Sequence, residues 1–494
     1  MNVVDYLFEH HKSSKNEFIH GLPESITIGD LYDRVERTAK NIVKTYGVGK
    51  EIMLISENSV FFLVGYFAIM KSGNKGMLVE TRITDMELDD LKNRCSPVAI
   101  FVQDKLKKKV ERYPDQTIVT EKELEEFDRP IETAIPVIHE DDVCDIIFTS
   151  GSSGTKKGVM LTHKNIRANT ESIIEYLGLT KNDRQMTVLP FYYCFGASLL
   201  HTHLRIGGSM AFDISPFLGG AVRAIDKYEC TGVSGVPATY QILISKTDFL
   251  KLEMPSLAYM TQAGGKLENK FIKQIAENFP NKKFIVMYGA TEATARLSYL
   301  PPELLPKKLG SIGKGIPGVK LEVHNQYDKQ IKPGETGEIA AKGDNIMVGY
   351  YRDPEGTAAT LRNGWYYTGD LATIDEDGFI FIVGRSKDII KSAGYRISPY
   401  EIEQLICTNE KVAACAVVGL PDDLMGEGVT AVIELCPGQK QDEVEKEVLE
   451  LCKKKLPSYK FPRRIVFIDQ FPLNSSTKID KPKVREMLMS KKCD

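Results

Sequence analysis

Between Leu31 and Pro301 the chain alternates two hydrophobic periods, and this alternation constrains its fold more than any other feature. Helical spacing, as in Leu31 to Tyr46, gives way to short strand-like runs such as Ile52-Met53-Leu54-Ile55 and Phe284-Ile285-Val286-Met287. Strands that alternate with helices are joined by crossovers, which predicts an α/β body with largely parallel sheets. After about Leu304 the runs shorten and are broken by Gly, Pro and Asp. Examples are Gly337-Glu338-Ile339-Ala340 and Ile374-Asp375-Glu376-Asp377-Gly378-Phe379-Ile380, whose Asp377-Gly378 reads as a hairpin turn. A β-rich subdomain is therefore expected to close the large domain. Past Gly384-Arg385-Ser386-Lys387-Asp388 a compact mixed unit begins. Ser398-Pro399-Tyr400-Glu401 reads as a capping box with proline at the first helical position, opening a helix through Ile402, Leu405 and Ile406. Strands follow at Val412 to Val418 and Val429 to Leu435. A helix then carries Val444, Val448, Leu451, Cys452 and Leu456 on one face, and Ile465-Val466-Phe467-Ile468 is a last strand. The expected division is a large layered α/β domain, residues 1–386, and a small mobile α+β domain, residues 387–494, with the junction near Lys387.

With 494 residues, 42% of them hydrophobic, the chain can bury a large core, and a formal charge of −3 supplies no field for nucleic acid. The run Lys105-Leu106-Lys107-Lys108-Lys109 is short and lies beside acids, so a solvated helix face is expected there. The apolar stretch Val60 to Met70 is about half of what a bilayer span requires, so it reads as a buried helix. Neither end carries a recognisable targeting signal, and residence in the cytoplasm, without integral membrane contact, is expected. The cysteines (Cys95, Cys144, Cys194, Cys230, Cys407, Cys415, Cys436, Cys452 and Cys493) are scattered without a CxxC pair and read as small reduced residues, several inside apolar runs. His201-Thr202-His203 has no cysteine or acid spaced nearby to complete a metal site.

Chemistry enters at Phe148-Thr149-Ser150-Gly151-Ser152-Ser153-Gly154-Thr155-Lys156-Lys157-Gly158. Glycines let backbone N–H groups converge on an anion, and hydroxyls and lysine add donors and charge, as a phosphate cradle needs. Taken alone such a tract is more often a flexible linker or surface turn. Here Val143-Cys144-Asp145-Ile146-Ile147-Phe148 leads in, Val159-Met160-Leu161 leads out, and Ile166, Ile173, Ile174 and Leu177 follow at helical spacing. The Walker loop is excluded by spelling, because Gly154 is followed by Thr155-Lys156-Lys157-Gly158 rather than by Lys and then Ser or Thr.

Four further segments each admit a functional and a bland reading. Met287-Tyr288-Gly289-Ala290-Thr291-Glu292-Ala293 ends an apolar strand with an aromatic that can stack on a base and a carboxylate that can hold Mg2+; it is otherwise a surface turn. Gly364-Trp365-Tyr366-Tyr367-Thr368-Gly369-Asp370-Leu371 offers Asp370 as an acceptor for both ribose hydroxyls, or is a hairpin with core aromatics. Gly384-Arg385 offers a cation for phosphate or ribose, or an ordinary salt bridge. Asn474-Ser475-Ser476-Thr477-Lys478-Ile479-Asp480-Lys481 is a polar loop carrying a lysine near the C-terminus, or a solvated tail.

Together, and in this order, these five segments resemble the adenylate-forming superfamily of acyl-CoA synthetases, stand-alone adenylation enzymes and firefly-type luciferases, over nearly the whole chain. The resemblance implies that a carboxylate attacks the α-phosphorus of ATP, releasing pyrophosphate, and that a thiol then takes the acyl group from the acyl-adenylate. It places Thr149, Ser150, Gly151, Ser152, Ser153, Gly154, Thr155 and Lys157 around the departing phosphates. Glu292 would bind Mg2+, with Thr291 on the α-phosphate. Gly264, Gly265 and Tyr288 would frame the adenine, with Gly289 and Ala290 in the same AMP-binding stretch, and Asp370 and Arg385 would hold the ribose. Lys478 would bridge the carboxylate and the α-phosphate as negative charge develops. Lys387 falls at the hinge position. There the small domain turns between the two steps and brings Ser392, Ala393, Gly394 and Arg396 to the thiol tunnel, where a close approach of the thiol arm would leave no space for a Cβ at Gly394.

Two departures stand out. The family commonly has proline where Lys156 stands and glycine where Thr477 stands; neither change removes a reacting group, though Thr477 could stiffen the lysine loop. The acid pocket is expected at Tyr192, Tyr193 and Cys194, at Val233 and Gly235, and at Ala263. Amino-acid-activating relatives carry an aspartate in the first of these segments, and none occurs from Leu189 to Gly196, so a fatty or aromatic acid with an uncharged tail is expected. The span from Glu292 to Asp370 is too compact for the insertion typical of carrier-loading ligases. CoA is therefore the expected acceptor, with a phosphopantetheinyl carrier protein as the alternative.

Overall fold

A computed structural model describes residues 2–149, 156–215, 217–422, 424–473 and 479–490, with the side chain of Arg396 outside the described set. Ser150, Gly151, Ser152, Ser153, Gly154, Thr155 and Lys478 lie outside the described residues.

Two large sheets carry the expected alternation. In the first, seven-stranded sheet, Glu51–Ile55 pairs in parallel with Lys75–Val79 and Ala99–Val102, and Lys75–Val79 pairs in parallel with Val143–Thr149. Lys157–Thr162 returns antiparallel to Val143–Thr149. In the second, eight-stranded sheet, Ser209–Ala211, Arg184–Met186, Gly232–Gly235, Tyr259–Gln262 and Lys283–Tyr288 run parallel in that spatial order. Successive strand side chains point to opposite faces. Ile52 and Leu54 accordingly join one core, and Met53 and Ile55 another.

The larger core runs from Ile52, Leu54 and Ile147 of the first sheet to Met210, Tyr259 and Ile285 of the second. Between them lies the helix Val60–Lys71, every residue of which is buried. A helix that is apolar on all sides has to be covered on all sides, and the hydroxyl of Ser59 caps its start by accepting from the Phe62 amide at 3.1 Å. Its basic end is compensated: Lys71 Nζ lies 2.8 Å from Asp5 and 3.0 Å from Glu36. His201 and His203 sit inside the helix Cys194–Ile206, bonded to the Tyr66 hydroxyl at 3.1 Å and to the Leu199 carbonyl at 2.8 Å. Among the described residues no helix is long and apolar enough to cross a membrane.

The third sheet is antiparallel and contains Val319–His324, Thr336–Gly343, Trp365–Ile374 and Ile380–Arg385. Its Asp377-Gly378 turn reverses the chain as the sequence predicts, with Gly378 at φ +78° and Ile374 facing Ile380. A fourth sheet, built from Ile390–Ser392, Tyr395–Ile397, Val412–Asp422, Gly426–Leu435 and Arg464–Ile468, has its own cores on both faces. The helix Pro399–Ile406 begins with proline as expected, but the capping box does not form: the Ser398 hydroxyl donates instead to the Val383 carbonyl. That bond ties the small unit back to the strand before it. Gln404 joins Lys266 and, at 3.0 Å, Glu268, while Lys270 Nζ donates to the Val412 carbonyl at 3.1 Å, so the small unit rests on the segment after Gly265.

Candidate active site

Parallel strands end together at one edge of their sheet, and loops that leave such an edge converge on a crevice. Here a cavity of about 1220 Å³ opens at that edge. Its walls include Thr149 at the end of the first sheet's Val143–Thr149. The second sheet contributes Leu189, Asp213, Val236, Gly264 and Thr291, each from the segment that follows one of its parallel strands. Arg385, which ends a strand of the third sheet, closes another side.

The segment 289–296 shows why its residues are spelled as they are. Glu292 lies in the single turn Thr291–Ala293, and a Cβ at Gly289 would stand 1.8 Å from the carbonyl oxygen of Ala295. The loop folds over that glycine, and the Leu297 amide bonds the Tyr288 carbonyl at 2.9 Å. Asn345 ties the far side by donating to the carbonyls of Ala293 and Arg296 at 3.2 and 2.9 Å. Thr291 is thereby set with its hydroxyl 3.4 Å from Cys194 Sγ, and Glu292 accepts from the Tyr350 hydroxyl at 2.8 Å. Burial and the charge of Glu292 raise the Tyr350 phenol well above its ordinary range, so it stays a donor.

Asp370 and Arg385 face each other across adjacent strands of the third sheet. Asp370 is 6% exposed and is held on both oxygens, by Arg385 Nε at 2.6 Å and by the Tyr288 hydroxyl at 2.6 Å. The neighbouring carboxylate raises the guanidinium of Arg385, which keeps its charge. Burial and the same carboxylate push the Tyr288 phenol up. Of the expected nucleotide residues, Thr149, Gly264, Gly289, Ala290, Thr291, Glu292 and Arg385 line the cavity, and Gly265, Tyr288 and Asp370 do not. Tyr288 is tied to Asp370 by its hydroxyl. Lys157 pairs with Asp353 at 3.1 Å and lies 4.4 Å over the ring of Tyr350, the donor to Glu292.

For the acid pocket, Tyr192, Tyr193, Cys194 and Ala263 line the cavity, whereas Val233 and Gly235 do not. Val233 points into the core on the outer face of the second sheet, and Gly235 is covered by Thr239. The wall is made by Val236 and by Thr239 in the first turn of the helix Pro237–Lys246, because the strand has to end before its chain reaches the crevice. On the thiol side, Ser392 and Tyr395 close a two-residue hairpin turn of Ala393 and Gly394, at φ +48° and +81°. The turn geometry calls for glycine here, and a Cβ on Gly394 would meet no protein atom within 4 Å. This hairpin is not part of the cavity wall. Lys387 lies in the turn between Ile380–Arg385 and Ile390–Ser392.

Three contributors escaped the sequence reading. Lys156 pairs with Glu80 and lies 3.4 Å from Glu87; Glu80 also accepts from the Tyr193 hydroxyl at 3.0 Å, which anchors that pocket tyrosine. Tyr350 positions Glu292. Arg296 is 1% exposed, lines the cavity, and lies over the Phe195 ring at 3.8 Å. The doubled lysine beside the phosphate loop was a visible signal for the first; nothing local marks the other two.

Comparison with known proteins decides the family. The AMP-binding enzyme family matches residues 9–351, and the AMP-binding enzyme C-terminal domain matches residues 401–478. This chain belongs to the AMP-binding enzyme family. As an AMP-binding enzyme it is a member of the adenylate-forming superfamily. It is 30% identical over 475 residues to the 2-succinylbenzoate--CoA ligase of Geobacillus sp. (strain WCH70), covering 94% of this chain and 92% of that one. It is 27% identical over 511 residues to the indoleacetate--CoA ligase of Aromatoleum aromaticum, covering 99% of each. Its fold is also that of the anthranilate CoA ligase AuaEII in complex with anthranoyl-AMP, with TM-score 0.90 and 23% identity over 99% of this chain and 98% of that one.

Proposed function

We propose that this AMP-binding enzyme activates a carboxylic acid as its acyl-adenylate and passes the acyl group to the thiol of CoA. The observation that carries this reading is the convergence of Thr149, Thr291, Glu292 and Arg385 on one cavity at the strand ends, with aromatic walls beside them. Its curated relatives are CoA ligases of aryl and fatty acids.

In the first step a carboxylate oxygen forms a bond to the α-phosphorus, the bond to the bridging oxygen of pyrophosphate breaks, and pyrophosphate leaves. In the second step the thiol sulfur bonds the acyl carbon and AMP leaves. Such chemistry rests on positioning and charge neutralisation. Asp370 retains lone pairs on both oxygens for the ribose hydroxyls. Thr149 and Lys157, which face each other where their two strands end, would hold the phosphates that depart. Glu292 suits Mg2+, because it presents a hard carboxylate to the cavity with one oxygen taken only by a neutral phenol; Mg2+ bound there would neutralise triphosphate charge. Lys478 would attend the bond that forms. Rotation of residues 387–494 about Lys387 would then bring the hairpin of Ser392, Ala393, Gly394 and Arg396 to the thiol.

The test is an acid-dependent ATP–pyrophosphate exchange screen over amino, aryl and fatty acids, followed by mass analysis with CoA or candidate carrier proteins. Exchange with aryl or fatty acids and formation of their CoA thioesters is expected. Exchange with amino acids alone contradicts the substrate class, and transfer only to a carrier protein selects that acceptor instead.

A further inference from the structure

Two other cations with little exposure are paired with carboxylates. Lys71 meets two carboxylates, and Lys156, 11% exposed, meets Glu80. Arg296 is the largest side chain that is fully buried, and no carboxylate among the described residues pairs with it. A guanidinium carries five N–H donors and does not give up its proton in proteins. The partners of Arg296 are meagre: Nη1 reaches its own neighbour's carbonyl, Ala295 O, at 3.4 Å, and the Tyr176 hydroxyl is close by. The Phe195 face supplies a cation–π contact, while Nε has no hydrogen-bond partner. A desolvated cation without a counter-charge costs several kcal/mol, and a cation–π contact offsets only ~2 kcal/mol of that. Arg296 lines the cavity in which the acid would bind, and the carboxylates of that lining nearest the reacting groups are engaged elsewhere, Glu80 by Lys156 and Tyr193 and Glu292 by Tyr350.

We infer that the acid carries a second carboxylate besides the one that is activated, and that Arg296 receives it. The inference rests on the acid-activating reading above and deepens it, replacing the uncharged tail expected from the sequence with a dicarboxylic acid of aryl or alkyl body. A guanidinium fork binds a carboxylate through two parallel N–H···O bonds, and Nε–H supplies one of them in the side-on arrangement. An acid without the second carboxylate leaves the fork unanswered, and sites of this kind discriminate strongly because the unpaired group stays buried.

The experiment measures ATP–pyrophosphate exchange with matched acids, benzoate against isophthalate and terephthalate, and hexanoate against adipate, in the parent enzyme and in Arg296→Met and Arg296→Lys. The parent is expected to prefer the better dicarboxylate of a set by about 100-fold in kcat/KM. Arg296→Met should abolish that preference, chiefly through KM, while the monocarboxylate is retained or improved; Arg296→Lys should keep part of it. Preference of the parent for monocarboxylates overturns the inference and leaves acid activation standing, and it needs no variant to fold. Equal losses on both acids in a folded Arg296→Met also overturn it, because Arg296 would then serve the reacting carboxylate or the phosphates. Exchange with none of the acids, mono- or dicarboxylic, removes acid activation and this inference together.

Discussion

On the strand that leads into the phosphate loop, Asp145 is 1% exposed; one oxygen accepts from the Tyr66 hydroxyl at 2.8 Å and the other has no partner. Burial pushes its carboxyl from 3.8 up to about 7. The folded chain therefore holds a proton that the unfolded chain releases near the ordinary value, so the contribution to stability is fully present below that value and is lost as the pH rises through about 7. Nearby His201, pushed down to about 3 by burial, slopes the other way, so a comparison of variants isolates the aspartate. Asp145→Asn should gain stability relative to the parent as pH rises from about 5 to about 8, by at most about 3 kcal/mol, in urea titrations. An equal stability difference at both pH values would refute the neutral carboxyl. At this scale Thr291, Glu292 and Arg385 were legible as cavity residues because each sits in a motif whose neighbours constrain it. Arg296 was not: one arginine in Ala293-Thr294-Ala295-Arg296-Leu297 looks the same whether it meets solvent or a cavity, and only the fold decides.

Helices and strands with strong periodicity were legible, and their ends less so. The helix expected from Leu31 begins at Ile28, capped by Thr27, whose hydroxyl accepts from the Asp30 amide at 3.1 Å. Ser398 spelled a cap but found a tertiary acceptor, because local propensity yields when a carbonyl from another element is in reach. The shift of the pocket wall from Val233 and Gly235 to Val236 and Thr239 follows the end of the strand: its last residues belong to the sheet, and the helix start that follows belongs to the crevice. Gly289 makes the importance of such an end measurable. Gly289→Ala puts a methyl against the Ala295 carbonyl, which is backbone and cannot swing away. It should cost about 1–3 kcal/mol of stability and displace Thr291 and Glu292, lowering adenylation by roughly 100-fold in pyrophosphate exchange. Near-parental exchange would show that the loop is not held as described.

Across the whole molecule, the nucleotide-facing residues reside in the first three sheets, while the thiol-side hairpin belongs to the small unit, docked through Ser398, Gln404 and Lys270, and the proposed catalytic lysine falls in that unit's sequence. A change of pattern near Lys387 was visible in the sequence; the contacts of Gln404 with Glu268 and of Lys270 with Val412 were not, since they join residues more than a hundred positions apart. Division of labour between the units predicts that Lys478→Ala blocks adenylation by at least ~100-fold yet largely spares transfer from supplied acyl-adenylate to CoA. Equal loss of both half-reactions would contradict it. The central claim, attack of an acid oxygen on the α-phosphorus, is tested most directly with a carboxylate labelled with heavy oxygen. Mass analysis after one turnover with ATP and CoA should find one labelled oxygen in AMP and none in pyrophosphate; label in pyrophosphate or inorganic phosphate, or unlabelled AMP, would contradict an acyl-adenylate.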